Sequence, residues 1–262
     1  MRIATWNVNS AKARMPRLLE WIDQRQPDVL LLQETKLADT TWPAMAFEEA
    51  GYESAHHGTG RWNGVAVLSR VGLEDVVAGL PAQPRFDDAL EGRALGATCG
   101  GLRLWSLYVP NGRGVGSPHY AYKLEFFAAL RALAAEEQSR LGKTVPYGLL
   151  GDMNVAPTDA DVWDPESFRE STHVTPDERA AVSALGLRDL PPRASLDPDD
   201  VRAPYTFWEM RMLGFQKGRG MRIDLALANP ALAARVRDVW VDRDARRGDG
   251  PSDHAPLVVD LD

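Results

Sequence analysis

The sequence predicts an α/β fold built on mixed β-sheet, and two patterns support this prediction. Short apolar runs alternate with segments of helical periodicity in the first part of the chain, which is typical of parallel strands with helical crossovers. In the middle of the chain two extended runs flank Gly100-Gly101, a pair of residues that favours a tight antiparallel hairpin. We therefore expect both kinds of strand pairing in one layered architecture. Periodicity alone leaves the number of sheets open.

The individual elements follow from the same patterns. Nine extended runs predict strands over residues 3–8, 28–33, 64–69, 93–99, 102–109, 147–152, 223–228, 236–241 and 257–261. Helical spacing of apolar residues predicts one helix around Leu18 and a second around Phe127. The sequence Thr175-Pro176-Asp177-Glu178 has the form of a capping box and predicts the start of a third helix, which Gly186 would end.

The bulk composition fits a globular protein, and we predict a single domain over residues 1–262. The chain has 262 residues, of which 44% are hydrophobic and 26% charged, and this is ample for a sizeable core. No stretch approaches the roughly 20 apolar residues that span a bilayer. No apolar signal region follows Met1, so we expect a cytoplasmic protein with no membrane partner. We also expect the protein to be a monomer. The one cysteine, Cys99, excludes an intramolecular disulfide, argues against a cysteine-rich zinc site and fits a reducing compartment.

The net charge and the local charge distribution give opposite indications about whether the protein binds nucleic acid. The net charge of −7 argues weakly against such a partner, although the local distribution matters more than the total. Basic residues form two clusters, one of Arg211, Lys217, Arg219 and Arg222 and one of Arg235, Arg237, Arg243, Arg246 and Arg247. Each cluster fits either a DNA-binding rim or an ordinary solvated face, and composition does not decide between them.

Polar residues interrupt or end the apolar strands at six places along the chain. They are Asn7, Glu34, Asn111, the pair Asp152 and Asn154, Asp224, and the pair Asp253 and His254. Each alone fits a turn or a surface loop. Asp224 is harder to explain in this way, because a buried carboxylate without a partner costs several kcal/mol. We expect His254 to be that partner, and the ordered series as a whole favours one shared site at the strand ends.

These residue types suit metal-assisted cleavage of a phosphodiester. Carboxylate and amide oxygens are hard ligands that favour Mg²⁺ or Mn²⁺. A carboxylate or an imidazole can orient and deprotonate water. Asparagine, histidine and tyrosine can donate hydrogen bonds to the charge that develops on the phosphorus oxygens.

The same residues lie in motifs that resemble a known family. The motifs are Trp6-Asn7-Val8-Asn9, Leu32-Gln33-Glu34-Thr35-Lys36, Tyr108-Val109-Pro110-Asn111-Gly112, Gly151-Asp152-Met153-Asn154, Arg222-Ile223-Asp224 and Ser252-Asp253-His254. In this order they resemble the exonuclease III family of abasic endonucleases, within the endonuclease/exonuclease/phosphatase superfamily. The resemblance covers the chain from end to end.

The resemblance implies a fold, a cofactor and a function. The fold would be a four-layer αββα sandwich of two packed mixed β-sheets. The cofactor would be Mg²⁺, with Mn²⁺ able to replace it. The function would be a DNA-repair hydrolase acting on double-stranded DNA. Such an enzyme would cut the backbone 5′ to abasic sites and remove nucleotides or blocking groups from 3′ ends, as a 3′-5′ exodeoxyribonuclease and 3′-phosphatase.

The resemblance also implies roles for individual residues. Glu34 would be the principal metal ligand, and the further ligands implied are Asn7, Asp152, Asn154, Asp253 and His254. The catalytic residues implied are Tyr108, Asp152, Asn154, Asp224 and His254. In this scheme Asp152 activates the water, while His254 either contacts the scissile phosphate or acts as the base, and that choice is left open. The DNA contacts implied are Lys36, Asn111, Phe207, Trp208, Arg211 and Lys217.

The sequence departs from the family pattern at three points. Glu209-Met210-Arg211 stands where relatives have Asp-Tyr-Arg after an aromatic pair. Met153 replaces a more common aromatic or polar residue, and the chain has no extended amino-terminal tail. The first departure bears on damage preference, because Phe207 and Trp208 would then either face an abasic sugar or fill the core.

Two other functions fit parts of the sequence. A phosphodiesterase or phosphatase of the same fold could act on lipid or inositol phosphates, but the Tyr108–Gly112 motif and the basic residues from Arg211 to Arg222 argue against it. A catalytically silent DNA-binding relative would be expected to have lost at least one residue of a defined set, and all of that set are present, namely Glu34, Asp152, Asn154, Asp224 and His254.

Overall fold

The strands and helices of the protein are defined here from a computed structural model, which describes residues 1–194 and 204–262. The strands are β1 Arg2–Asn7, β2 Val29–Gln33, β3 Glu53–His57, β4 Val65–Ser69, β5 Glu74–Ala78, β6 Ala94–Cys99, β7 Leu102–Tyr108, β8 Tyr147–Asp152, β9 Arg188–Asp189, β10 Phe207–Trp208, β11 Gly220–Met221, β12 Asp224–Ala228, β13 Val236–Val241 and β14 Leu257–Leu261. The α-helices are α1 Ala11–Arg25, α2 Ala44–Glu49, α3 Pro118–Leu141, α4 Pro165–Phe168, α5 Pro176–Ser183 and α6 Pro230–Ala233. Short 3₁₀ helices cover Asp39–Thr41, Asp159–Asp161, Arg211–Leu213 and Arg243–Arg246.

The described strands form two six-stranded sheets and one two-stranded ribbon. The first sheet has the order β13-β14-β1-β2-β4-β3, and the second has the order β5-β6-β7-β8-β12-β9. Each sheet contains one parallel pair, β1 with β2 and β7 with β8, among antiparallel neighbours. Both sheets are therefore mixed, as the sequence predicted.

The two sheets pack face to face through the apolar side chains of their inner faces. Their outer faces are apolar as well. In β2, Val29 and Leu31 join the core between the sheets, whereas Leu30 and Leu32 point to the opposite face. The alternation of side chains along a strand explains why this run is continuously hydrophobic. The second sheet contributes residues such as Leu104 to the same central core.

Helices cover the outer face of each sheet. α1 packs Leu18 and Ile22 against the first sheet, and α3 packs Phe126 and Leu130 against the second. The arrangement is a four-layer αββα sandwich, which confirms the predicted fold class. The hairpin at Gly100-Gly101 is also confirmed, with φ angles of +55° and +80° that suit glycine.

Cys99 ends β6 and lies in the core between the sheets. Its side chain is buried, and burial raises the pKa of its thiol to about 11. The thiol is therefore protonated near neutral pH. In residues 1–194 and 204–262, no helix is both long and apolar enough to cross a membrane.

The strand registers bring the polar strand ends to one edge of the sandwich. Asn7 pairs with Gln33 in the first sheet, directly before Glu34. In the second sheet Asp152 pairs with Tyr108 on one side and with Asp224 on the other. The polar interruptions seen along the sequence therefore converge in space.

Candidate active site

The amide of Asn7 connects the carboxylates of the two sheets. Its Nδ2 donates to Glu34 Oε1 at 2.9 Å and to Asp152 Oδ2 at 2.9 Å. Its Oδ1 accepts the backbone N–H of Asn9 at 3.0 Å, which fixes the orientation of the amide. Glu34 and Asp152 are thus held side by side across the interface between the sheets.

A second chain of polar contacts continues from Glu34 to Asp253. Lys36 Nζ lies 2.9 Å from Glu34 Oε2 and donates to Asn9 Oδ1 at 2.6 Å, and Asn9 Nδ2 donates to Asp253 Oδ1 at 3.0 Å. Burial alone would raise the pKa of Glu34, but the charge of Lys36 and the Asn7 hydrogen bond outweigh burial and lower that pKa. Glu34 is therefore an anion near neutral pH.

Asp224, His254 and Asp152 form a row on the other side of the site. His254 Nδ1 lies 2.8 Å from Asp224 Oδ2, and His254 Nε2 lies 3.8 Å from Asp152 Oδ2. Asp224 is fully buried, and its backbone N–H donates to Thr206 Oγ1 at 3.1 Å. His254 is thus the partner that the buried carboxylate of Asp224 needs.

The charges in this row shift two pKa values upward. Burial alone would lower the pKa of His254, but Asp224 and Asp152 raise it to about 10, so the ring is an imidazolium near neutral pH. Burial raises the pKa of Asp152, and Asp224 raises it further, although His254 partly opposes both effects. Asp152 therefore holds a proton more readily than an ordinary aspartate.

Asn154 and Asn111 form the third side of the site. The backbone N–H of Asn154 donates to Asp152 Oδ1 at 2.9 Å, and its Nδ2 donates to Val109 O at 2.9 Å. Asn111 Nδ2 donates to Asn154 Oδ1 at 3.2 Å. These contacts fix the Asn154 side-chain amide against Val109 and Asn111, while its backbone N–H holds the residue next to Asp152.

Tyr108 lies between the carboxylates and a buried arginine. Burial and the charge of Glu34 raise the pKa of Tyr108 well above its usual value, so the phenol stays protonated and can donate a hydrogen bond. The guanidinium of Arg93 lies 4.6 Å from the ring centroid, and its Nη1 donates to Tyr108 O at 3.1 Å. Arg93, which the sequence analysis did not single out, fixes the ring.

The donor set suits Mg²⁺ held by few protein ligands. Within the described parts of the chain, no three His, Cys, Asp or Glu side chains are spaced to hold an ion by themselves. The site offers instead two neighbouring carboxylates, Glu34 and Asp152, with the amide of Asn7 between them. Mg²⁺ typically binds one or two carboxylates and keeps several waters, so the residues present fit this ion.

The structure separates the two aromatic residues that the sequence analysis expected to contact DNA. Phe207 is half-buried, and its ring lies 4.9 Å from that of His254, at the edge of the site. Trp208 is fully buried and packs edge-on against Phe215, with ring centroids 5.2 Å apart. The expectation that Trp208 contacts DNA is therefore corrected to a packing role, because an enclosed indole presents no surface to a ligand.

Two basic residues predicted to contact DNA lie on the surface, and one lies in the site. Arg211 and Lys217 are exposed on the segment that follows β10. Lys36 is instead held by Glu34 and Asn9, within the network described above.

His173 and Lys123 are parts of the site region that the sequence analysis missed. His173 Nδ1 lies 2.6 Å from Asn154 O, and its Nε2 lies 3.4 Å from Asn111 Nδ2. Lys123 is fully buried and donates to Asn154 O at 2.7 Å. Neither residue ends a strand, so the strand-end pattern could not reveal them. A charged residue among apolar neighbours in the helix was the one available signal for Lys123.

Comparison with known proteins assigns the class to which this fold and site belong. Residues 4–254 match the model of the Endonuclease/Exonuclease/phosphatase family. The chain therefore belongs to this family, whose members are metal-dependent and generally use a divalent cation.

Individual relatives narrow the similarity to one branch. The chain is 32% identical to exodeoxyribonuclease III of Haemophilus influenzae, and the match covers 100% of both chains. It resembles the solved 3′-5′ exonuclease NExo of Neisseria meningitidis, with a TM-score of 0.91, 39% identity and coverage of 100% of both chains. It also resembles an AP endonuclease of Archaeoglobus fulgidus, with a TM-score of 0.88, 33% identity, and coverage of 100% of this chain and 99% of the other. The chain is thus a homologue of exodeoxyribonuclease III and of AP endonucleases.

Proposed function

We propose that this protein is a Mg²⁺-dependent DNA phosphodiesterase that acts at abasic sites and at 3′ ends. One observation carries the proposal: Asp152 lies between Glu34, an anionic ligand for a cation, and an imidazolium that Asp224 orients. A phosphodiester bound beside Asp152 would lie close to a base, Asp152, and to a hydrogen-bond donor, His254. The relatives support DNA as the substrate, since a second structure of NExo, described as a 3′ phosphatase, contains a product DNA hairpin.

The residues divide the reaction among them. Asp152 removes the proton from the attacking water, and its raised pKa suits that task near neutral pH. His254 Nε2–H and the Asn154 amide donate hydrogen bonds to the phosphate oxygens as negative charge develops on them. Tyr108 donates a further hydrogen bond through its protonated phenol. Mg²⁺ held by Glu34 would supply Lewis-acid stabilisation of that charge and of the oxygen that leaves as the P–O bond breaks.

The remaining residues place the DNA. We assign Asn111, Phe207, Arg211 and Lys217 to substrate contact. We assign Lys36 to the orientation of Glu34 by direct contact, and Asp253 to the support of Lys36 through Asn9. Phe207 beside His254 offers an apolar surface that would accept an abasic sugar, which leaves the helix stack at lower cost than a normal nucleotide. We further propose that the enzyme works in the cytoplasm as a monomeric single domain, in keeping with its one buried thiol.

The decisive experiment compares four substrates with and without Mg²⁺. They are a duplex with one abasic analogue, a matched recessed 3′ end, a 3′-phosphate end and an inositol phosphate. We expect Mg²⁺-dependent cleavage of the three DNA substrates only. The Asp152→Asn variant, purified in parallel, should lose at least about a hundredfold in turnover, since a positioned base contributes that much or more. Activity on the inositol phosphate alone, or equal activity of the variant, would contradict the proposal.

A further inference from the structure

A single buried ammonium group connects three segments around the active site. Lys123 lies in α3, and its Nζ donates to Asn154 O at 2.7 Å, to Asn111 O at 3.2 Å and to Thr172 Oγ1 at 3.2 Å. The first two acceptors belong to the loops that follow β8 and β7, and the third precedes α5. Lys123 therefore joins α3 to three separate segments, which surround the active site.

Glu178 of α5 completes the connection. One carboxylate oxygen contacts the ammonium of Lys123 and also accepts from Thr172 Oγ1 at 2.6 Å and from His173 N at 3.0 Å. The other oxygen accepts from Thr175 N at 3.0 Å, which closes the capping box at the start of α5. The carboxylate thus fixes the third segment to the other two.

The Lys123–Glu178 ion pair is fully buried. Burial lowers the pKa of Lys123, and Glu178 offsets that effect in part. Burial alone would raise the pKa of Glu178, but Lys123 outweighs burial and lowers that pKa. A buried ion pair is a weak source of stability, because desolvation opposes the attraction between the charges. The position of this pair therefore calls for another explanation.

That explanation lies in the backbone conformation of the active-site loops. Asn154 has a φ of +51°, which residues other than glycine adopt rarely and which surrounding contacts must maintain. The loop at Gly112 packs directly on the pair, since a Cβ there would lie 2.5 Å from Thr172 Oγ1 and 3.2 Å from Lys123 Cδ. Binding both backbone carbonyls to one ammonium holds the two asparagines together, where Asn111 Nδ2 donates to Asn154 Oδ1 at 3.2 Å and the Asn154 backbone N–H donates to Asp152 Oδ1 at 2.9 Å.

We propose that Lys123 and Glu178 are positioning residues, which orient Asn111 and Asn154 for the phosphate without touching the substrate. This inference rests on the proposed function, in which the Asn154 amide binds the phosphate. Misplacement of such a group lowers kcat, because the amide acts on charge that develops only in the transition state. KM should change little.

The test replaces the pair by uncharged residues of similar shape. The double variant Lys123→Met/Glu178→Gln leaves no unpaired buried charge. Arg103→Met/Glu137→Gln is the matched control, because that pair is 2.8 Å apart, its side chains are 3% and 4% exposed, and it joins α3 to β7 without contacting the site. Both variants are assayed for kcat and KM on DNA, and for amide hydrogen exchange without DNA over residues 109–116, 152–157 and 170–175.

We expect the Lys123/Glu178 variant to lose at least about tenfold in kcat, because small misplacements at a reacting centre are costly. Exchange should accelerate in all three segments, and the control should keep wild-type values in both measurements. An equal kcat loss in the two variants, or an unchanged kcat in the first, would overturn the inference. If the double variant does not fold, Thr172→Val removes one hydroxyl of the network, and an unchanged kcat there would overturn the inference. A wild-type protein that cleaves no DNA would refute the proposed function, while unchanged exchange would still refute the positioning role.

Discussion

At the scale of single residues, a left-handed backbone conformation sets the direction of the Glu34 side chain. Its φ is +50°, and that of Lys36 is +54°. Backbone hydrogen bonds hold this turn, from Thr35 N to Gly64 O at 3.1 Å and from Lys36 N to Asn63 O at 2.9 Å. A left-handed conformation at a residue other than glycine costs on the order of 1–3 kcal/mol, and it aims the Glu34 carboxylate at Asn7.

Replacing Glu34 by alanine should weaken metal binding more than water activation, because Asp152 remains in place. We expect Glu34→Ala to be inactive at low Mg²⁺ and to recover in part at high Mg²⁺ or with Mn²⁺. Cleavage rates across a metal titration measure this, with Glu74→Ala on the exposed strand β5 as the control. Wild-type cleavage rates for this variant at every metal concentration would show that Glu34 is not a metal ligand.

His119 should make the stability of the fold depend on acid pH. Burial, with a contribution from Arg113, lowers the pKa of His119 to about 4, and its Nδ1 accepts the Gly112 N–H at 3.1 Å. In the unfolded chain His119 takes up its proton at about pH 6.5, whereas in the folded protein it stays neutral down to about pH 4. The stabilisation that neutral His119 gives the fold is therefore fully present above pH 6.5 and is lost as the pH falls toward 4.

The expected slope is at most about 1.4 kcal/mol per pH unit, since one proton is involved. Urea unfolding of the wild type and of His119→Asn between pH 4 and 7 measures it. The asparagine keeps an acceptor for Gly112 but does not titrate, so its unfolding free energy should depend less on pH. Parallel curves for the two proteins would show that His119 contributes nothing.

At the scale of elements, the sequence predicted the buried strands and the edge strand β13, but it missed the edge strands β3, β5 and β9. β2, β4 and β8 are buried along their whole length and mostly apolar, so the hydrophobic pattern alone located them. β5 is exposed along its whole length, and β3 is only partly buried, so neither carries the apolar signal. Pairing with a neighbour, rather than side-chain pattern, forms these strands.

The sequence predicted those residues of the candidate site that lie in strands or at strand ends. Asn7, Asp152 and Asp224 stood out because a polar residue among apolar ones in a strand calls for an explanation. Lys123 acts from the interior of a helix and Arg93 from the residue before β6, and each reaches the site by donating to a backbone carbonyl that the fold brings close. Every residue has a backbone carbonyl, so the sequence does not show which carbonyl will accept a hydrogen bond from a distant side chain.

The short strand β10 separates two roles that adjacent residues perform. Trp208→Ala should destabilise the protein by about 3–5 kcal/mol, because it empties a large enclosed volume. Abasic incision and 3′-phosphatase activity should then fall together. Phe207→Ala should lower the melting temperature less, because its ring is half-buried, and should reduce abasic incision more than 3′-phosphatase activity.

Two measurements on each variant decide this point, namely the melting temperature and the ratio of the two activities. A Trp208→Ala protein of normal stability that is deficient in abasic incision alone would return Trp208 to the substrate pocket.

At the scale of the whole molecule, a protein with a net charge of −7 must bind a polyanion through local basic residues. Lys217 is exposed on the segment that follows β10, whose Phe207 lies beside His254. Lys143 is exposed before β8, at the end of that strand opposite Asp152. Lys217→Glu should weaken DNA binding and Lys143→Glu should not.

The salt dependence of binding gives the quantitative form of this expectation. The slope of log affinity against log salt should be negative, and its magnitude should shrink by about 0.9 for each DNA phosphate that a variant no longer binds. Fluorescence anisotropy in Ca²⁺, which suppresses cutting, measures the slope for both variants. A flat response in the wild type would argue against a DNA partner.

The enclosed thiol of Cys99 has a practical consequence for observing the enzyme at work. A protonated, inaccessible sulfur reacts poorly with maleimide, so a cysteine introduced on the surface would be the one site that accepts a fluorophore. A dye placed at Lys143, paired with one on the DNA, would report the approach and departure of single substrates without removal of any native residue from the core.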